Sequence, residues 1–241
     1  MVRLDQEWPL TPWRAAVHEP TATAVIADLH LGHASVRQAV GEAVPDMEDD
    51  LVHARLQALR QAGIRRLVIA GDLVERGRDC GAVAAAWSQH WTEQGFELLL
   101  VQGNHDAGLR AVPGLRLLTE PFILGGWEVR HEPPAMGADA GPPPPRPCMA
   151  GHLHPVIRVA PIPGQAACYL RLERVLVLPA QSSDAAGVNV LGLADWQQAR
   201  CHAIIGDQVL ELGTVARLKK AMADLGTGKR GPTRDGLALG A

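Results

Sequence analysis

Five short stretches hold most of the side chains able to do chemistry. They are "DLH" with Asp28 and His30, "GD" with Asp72, "GNHD" with Asn104, His105 and Asp106, "RHEP" with His131, and "GHLH" with His152 and His154. On an extended strand, side chains at i and i+2 leave the same face roughly 6.5 to 7 Å apart. His152 and His154 then aim at one spot. Taken alone, such a pair reads as two surface histidines in a turn, so the other four stretches have to decide. Carboxylates, imidazoles and one amide oxygen, with no thiolate, suit borderline to hard divalent ions such as Mn, Fe or Zn. The donors outnumber the needs of one ion. Two ions about 3.5 to 4 Å apart would use the whole set, with one carboxylate shared between them.

The elements that must position these residues are legible around them. Thr23 to Ala27, Leu67 to Ala70 and Leu98 to Val101 are short apolar runs ending in Asp28, Gly71-Asp72 and Gly103-Asn104-His105-Asp106. Each is apolar throughout, as expected of strands covered on both faces. Between the first two, Pro45-Asp46 offers a helix start, and Val52, Leu56 and Leu59 step at helical spacing to Gly63. Between the second and third, Val83, Ala86, Trp87, His90 and Trp91 mark a helix face closed by Gly95, with His90 as a core or boundary residue. This β-α-β-α-β order demands a parallel sheet, in which function gathers outside the carboxyl ends of the strands. All three acidic clusters sit there.

After Pro121 come short β-like runs, "GGWEVRHEP", "HPVIRVAP", "AACYLRLE", "RVLVLPA" and "GVNVLGLA", divided by Gly and Pro as in antiparallel pairs. A second sheet packed on the first would cover the inner faces of both. Residues 134–147 are proline-rich and read as an extended or mobile loop, and residues 213–241 as a flexible tail, leaving residues 1–212 as one domain.

The ordered set "DLH … GD … GNHD … H … GHLH" resembles the signature of the calcineurin-like metallophosphoesterases over about Ala24 to Pro155. The resemblance implies an α/β fold, a four-layer α-β-β-α sandwich of two mixed sheets flanked by helices. It also implies two divalent metals, manganese first among them. Carried over by position, Asp28, His30 and His154 would hold the first metal, Asp72 would bridge, and Asn104, His131 and His152 would hold the second. His105 would protonate or electrostatically assist the leaving oxygen. Glu75, where the commonest form has Asp, would orient His105, and Arg76 would touch phosphate. Asp106 is a second candidate for fixing the His105 tautomer.

More of the chain resembles the phosphoesterases associated with bacterial DNA ligase and repair genes, through "ADLHLGH", "VPD", "RHEP", "GHLHP", "LPA" and "GVNV". That branch usually reads Lys where His33 stands and Phe-Gly where Gln181-Ser182 stand. It implies a phosphodiesterase or nuclease acting on nucleic acid, with DNA ligase, helicase or exonuclease partners. The alternatives are a hydrolase of small phosphoesters or of nucleotide pyrophosphates, lipid-linked ones included, and a scaffold on the same fold that has lost catalysis.

Composition narrows the field. A net charge of −3 gives no global basic field for tight non-specific nucleic-acid binding. Cys80, Cys148, Cys168 and Cys201 are scattered, with no Cys-x-x-Cys pair, as befits free thiols in a cytoplasmic protein. No apolar run approaches the roughly 20 residues that cross a bilayer, so no membrane contact is expected. His33 and Arg37 stand near enough to Asp28 and His30 in sequence to approach substrate, or to be ordinary polar residues. His18, His53 and His202 belong to no constellation.

Overall fold

The computed structural model describes residues 2–43, 48–76, 80–137, 142, 144–158, 164–182 and 187–226. Among them, the first sheet orders β1 (Ala16–His18), β2 (Thr23–Ile26), β3 (Arg66–Ala70), β4 (Glu97–Val101) and β5 (Leu115–Leu118) side by side. Strands β2 to β5 are parallel, and β1 is antiparallel to β2. The connections carry α1 (His33–Ala39), α2 (Glu48–Gln61) and α3 (Cys80–Glu93). The expected helix start at Pro45-Asp46 lies outside the described residues, and α1 adds a short helix before α2 that apolar periodicity does not mark.

The second sheet comprises β6 (Phe122–Leu124), β7 (Trp127–Arg130), β8 (Cys148–Ala150), β9 (Pro155–Ile157), β10 (Ala166–Arg171), β11 (Val175–Val177), β12 (Val188–Asn189), β13 (Arg200–Ile205) and β14 (Gln208–Thr214), followed by α4 (Val215–Gly226). Its order is β12-β9-β10-β11-β8-β7-β6, with β13 and β14 added beside β10. Among the described residues the expected antiparallel pairing holds for β6-β7, β9-β10, β10-β11, β10-β13 and β13-β14, and three other pairs depart from it. β8 lies parallel to both β7 and β11, and β12 lies parallel to β9. Parallel neighbours need a connection that brings the chain back in the same sense, which local alternation cannot reveal.

Three apolar layers hold the sheets. Ile26, Leu67, Ile69, Leu98 and Leu100 bury one face of the first sheet against Val52, Leu56 and Leu59 of α2 and Ala84 and Trp91 of α3. The alternate residues Val25, Val68 and Leu99 pack against Val129, Met149, Tyr169 and Leu176 of the second sheet. That sheet's far face, with Cys168, Leu170, Val175 and Val177, packs on Trp196 and on Val215 and Leu218 of α4. The result is the four-layer α-β-β-α sandwich. Strands apolar at every position are what two covered faces require.

One boundary differs from expectation. The tail predicted from residue 213 starts as the end of β14 and then α4, because Val215 is fully buried on the second sheet. Residues 227–241 lie outside the described residues. In the proline-rich segment, the described residues contain no helix or strand, and Arg174 donates to the carbonyls of Pro144 and Pro145.

Candidate metal centre

The chain leaves β2 and β3 side by side and stays paired beyond the sheet. The Asp28 N–H donates to Gly71 O, His30 N–H to Asp72 O and Leu31 N–H to Leu73 O, while Glu75 N–H donates back to Leu31 O. The segment after β11 joins from the second sheet, where Gln181 and Ser182 N–H donate to the carbonyls of Ala27 and Asp28. These ladders fix two loops whose side chains would otherwise be independent.

Five of the seven predicted ligands occupy left-handed backbone: Asp28 (φ 53°), His30 (49°), Asp72 (48°), His152 (71°) and His154 (44°). For non-glycine residues this conformation costs of order 1–3 kcal/mol each and persists where surrounding contacts impose it. On His152 and His154 it also replaces the extended geometry assumed from the sequence. The rings still converge, because the turn and not a strand aims them.

The structure brings all seven together. His30 Nε2 lies 3.2 Å from His154 Nε2, and His154 Nε2 lies 3.7 Å from Asp28 Oδ2. On the other side, His131 Nε2 lies 2.8 Å from Asn104 Oδ1, 3.1 Å from His152 Nδ1 and 3.5 Å from Asp72 Oδ2. Asp72 Oδ2 is 3.9 Å from His30 Nε2, so this carboxylate borders both groups. Ligand-capable atoms cluster as Asp28-His30-His154, as Asp72-His131-His152 and, between them, as His30-Asp72-His105.

Several observations fit this set to divalent cations. Imidazole nitrogens face each other at 3.1 and 3.2 Å, a placement suited to lone pairs directed at a common positive centre. Asp28 Oδ1 is fully buried with no hydrogen-bond partner, an arrangement that is costly unless a cation satisfies it. The Oδ2 atom of the same residue accepts the His152 N–H at 2.9 Å, and Asp72 Oδ1 accepts the His105 N–H at 2.9 Å. Each carboxylate is thus held in place by a backbone N–H.

Burial opposes protonation of His30, but Glu75, Asp28 and Asp72 together raise its pKa above the usual histidine value. The negative field that would retain a proton there favours a metal ion equally.

Glycines make room for the donors. A Cβ at Gly71 would lie 1.9 Å from His131 Nδ1, one at Gly103 2.3 Å from Asp72 Oδ1, and one at Gly151 2.5 Å from Asp28 Oδ2. Sequence reasoning did not assign these residues a part in the site. The signal was present, since each glycine directly precedes a ligand in "GD", "GN" and "GH".

The predicted catalytic residues separate. His105 packs edge-on against His30, with its Nδ1 2.7 Å from Glu75 Oε1, within ion-pairing reach although poorly aligned for a hydrogen bond. The other Glu75 oxygen lies 3.2 Å from His30 Nδ1. Burial works against ionising Glu75, yet the His30 hydrogen bond, the Arg76 N–H and the charges of His105 and His30 hold its carboxyl down at about 2. The longer Glu therefore reaches a ligand and the candidate acid together.

Arg76 donates to Asn104 O at 2.6 Å, placing its guanidinium beside the second group. Asp106 is the correction. It is fully buried and accepts N–H groups of Gly103 and Val74, so it braces two loops instead of orienting the His105 ring. Burial pushes its carboxyl up to about 6 against those hydrogen bonds.

Of the remaining candidates, Arg37 pairs with Glu42, and His33 lines a cleft beside His30. Gln181 was singled out in the sequence only as a departure. Its buried amide donates to the carbonyls of Trp13 and Arg14, tying the N-terminal segment to the loop that supports Asp28.

Fold and donors together gather clusters of metal-ligating side chains at the carboxyl edge of the parallel sheet. The calcineurin-like phosphoesterase family matches residues 22–165, and the chain belongs to that family. It is a metal-dependent phosphoester hydrolase. Among solved structures it is similar to the nuclease MPE of Pseudomonas putida, with a TM-score of 0.60 and 23% identity over 85% of this chain and 94% of that one. It also matches YfcE, a phosphoesterase from E. coli, with a TM-score of 0.39 and 12% identity over 80% of this chain and 98% of that one. No curated protein matches.

Proposed function

We propose that this protein is a dinuclear phosphodiesterase acting on nucleic acid, with Asp28, His30 and His154 holding one cation and Asn104, His131 and His152 the other. Asp72 is shared. The observation that carries this reading is the position of Asp72 Oδ2, 3.9 Å from His30 Nε2 and 3.5 Å from His131 Nε2. Manganese is our first choice of metal, with Fe or Zn sharing the same donor chemistry.

Bound there, two divalent cations supply a nucleophile from water at neutral pH and offset the charge of the phosphoryl oxygens. The chain's own residues do the rest. Glu75 faces His105 Nδ1, which leaves Nε2 as the nitrogen able to pass a proton to the departing oxygen. Arg76, through Asn104 O, keeps the amide ligand in place and presents positive charge at the rim.

Preference for a diester is supported by room on two sides. A cleft of about 430 Å³ touches His30, and a second of about 250 Å³, lined by Arg14, Gln165 and Ser182, touches His154. A phosphate between them can carry a substituent into each. The setting we propose is DNA repair in the cytoplasm beside a ligase, helicase or exonuclease. Its support is the sequence resemblance, together with four free cysteines that suit a reducing compartment and no described helix long and apolar enough to cross a membrane.

The test is a Mn-reconstituted panel of a generic phosphodiester, a phosphomonoester, nucleotides and short DNA, run beside Asn104→Ala. Turnover of diesters and DNA is expected, with loss of metal and rate together in the variant. Activity on the monoester alone would overturn the assignment, and less than one equivalent of bound metal would favour a non-catalytic scaffold.

A further inference from the structure

The stripe Val83, Ala86, Trp87 and His90 has the apolar spacing of a core-facing helix surface, but the buried positions of α3 are Ala84, Ser88 and Trp91. The stripe borders a cleft, with Val83 and Trp87 half-buried against the core edge and Ala86 and His90 exposed. Val83, Ala86, Trp87 and His90 form one wall, Val52 and His53 of α2 another, and Leu29 to Ser35 the floor that runs to the metal centre through His30. Aromatic rings crowd this space. His53 and His90 each pack 5.0 Å from Trp91, and Trp87 lies 6.5 Å from it.

The wall chemistry is mixed in a particular way. Leu31, Val52, Val83 and Ala86 supply apolar surface, while His33, Ser35, His53 and His90 place polar atoms around it. His33 Nδ1 is shielded from solvent and has no hydrogen-bond partner. An acyl chain would leave the shielded His33 Nδ1 unanswered. A flat heterocycle with hydrogen-bonding edges answers both kinds of surface, and aromatic side chains stack on any base because every base has a π-face.

We propose that this cleft receives an unpaired nucleobase of the substrate whose phosphate lies at the metal centre, with Trp87 as its stacking surface. This rests on the nucleic-acid reading above and adds to it that the substrate is single-stranded or frayed, since a base enclosed here cannot remain paired. Ala86 is exposed and lines the same cleft, so Ala86→Trp fills the space without opening a cavity, whereas Trp87→Ala removes the stacking surface.

The experiment measures equilibrium binding of thymidine 5′-monophosphate, deoxyribose 5-phosphate and hexyl phosphate to the protein before and after Mn loading. Kinetics on a thymidylate hexamer, and binding of that hexamer alone or annealed in a blunt duplex, complete the set. Thymidine monophosphate should bind more tightly than the sugar phosphate. Both variants should weaken it by roughly 5- to 150-fold, the worth of one base–aromatic stack. The hexamer KM should rise with kcat and metal content unchanged, and the duplex should bind more weakly than the single strand.

Equal binding of the nucleotide and sugar phosphate, tighter binding of hexyl phosphate, or unchanged affinity in both variants overturns the cleft assignment. So does duplex bound as tightly as single strand. If the metal-loaded wild type turns over no diester at all, the earlier reading fails instead, and nucleotide binding still reports on the cleft.

Discussion

At the scale of single residues, the centre depends on groups held where they would not otherwise stay. Left-handed backbone at Asp28, His30, Asp72, His152 and His154 is imposed by the loop ladders and by the glycines beside them. Replacing Gly103 by Ala puts a Cβ 2.3 Å from Asp72 Oδ1 and 2.5 Å from its backbone nitrogen, so the shared carboxylate must move. We expect a loss of about 1–3 kcal/mol in chemical denaturation and fewer bound metal equivalents. Gly126→Ala is the control. Its φ of 78° strains any L-residue, unlike the backbone of Gly103, but nothing lies within 4 Å of the added carbon, so stability falls by about 1–2 kcal/mol while metal content is retained.

His105 makes the complementary prediction. Its ring packs on His30 but the groups at Asp28 and at Asn104 assemble without it. His105→Ala should keep full metal stoichiometry and lose about 10²–10⁴-fold in turnover, measured by metal analysis and kinetics on the same sample. Full activity in that variant would remove the proton-donor role. The candidate ligands were legible because most follow an apolar strand and a small residue or turn. Asp106 was misread because adjacency to His105 in sequence says nothing about where a carboxylate turns, and here backbone N–H groups claim it.

At the scale of elements, a buried histidine on β13 gives a pH dependence independent of the metal centre. His202 is 1% exposed, and neither ring nitrogen has a hydrogen-bond partner. It lies opposite Tyr169 on β10 and Glu211 on β14. Burial lowers its pKa, Glu211 opposes that, and Arg171 and Arg200 reinforce it. The unfolded chain then takes up a proton at higher pH than the folded one. Its contribution to stability is complete above the unfolded value near 6.5 and declines as pH falls from there toward the lowered folded value. His202→Leu should leave stability at pH 7 unchanged or slightly higher, since two unsatisfied polar atoms disappear. It should also flatten the loss between pH 7 and 5, read from denaturation midpoints. An unchanged acid slope would show that His202 gains its proton while folded.

Helix α3 shows how one apolar face can be divided between core and surface. The spacing that marks the helix is real, but Trp91 enters the core with Ala84, whereas Ala86 and His90 are exposed on the cleft.

At the scale of the whole molecule, the donors come from two sheets. Asp28, His30, Asp72 and Asn104 follow strands of the first sheet, and His131, His152 and His154 lie at strand ends of the second. A metal pair bound there ties the sheets together and is absent from the unfolded chain. Stripping metal with a chelator should therefore lower the thermal midpoint. In excess metal, each tenfold rise in free Mn should add about 1.4 kcal/mol per site. A midpoint indifferent to metal would mean that the donors are not joined in the folded state.

The β-α-β-α-β order of the first sheet could be read from the chain, because apolar runs and turn residues are local, and the four-layer class and the candidate ligands followed from the resemblance that the ordered donor motifs carry. Folding decided what depends on distant partners. It set the parallel pairing of β8 with β7 and β11, the packing of α4 on the second sheet, the orientation of α3 and the use of Asp106 as a brace. A periodic pattern records that a surface is apolar. Which neighbour covers that surface, and which hydrogen-bond donors a carboxylate meets, is settled only when segments far apart in the chain are packed together.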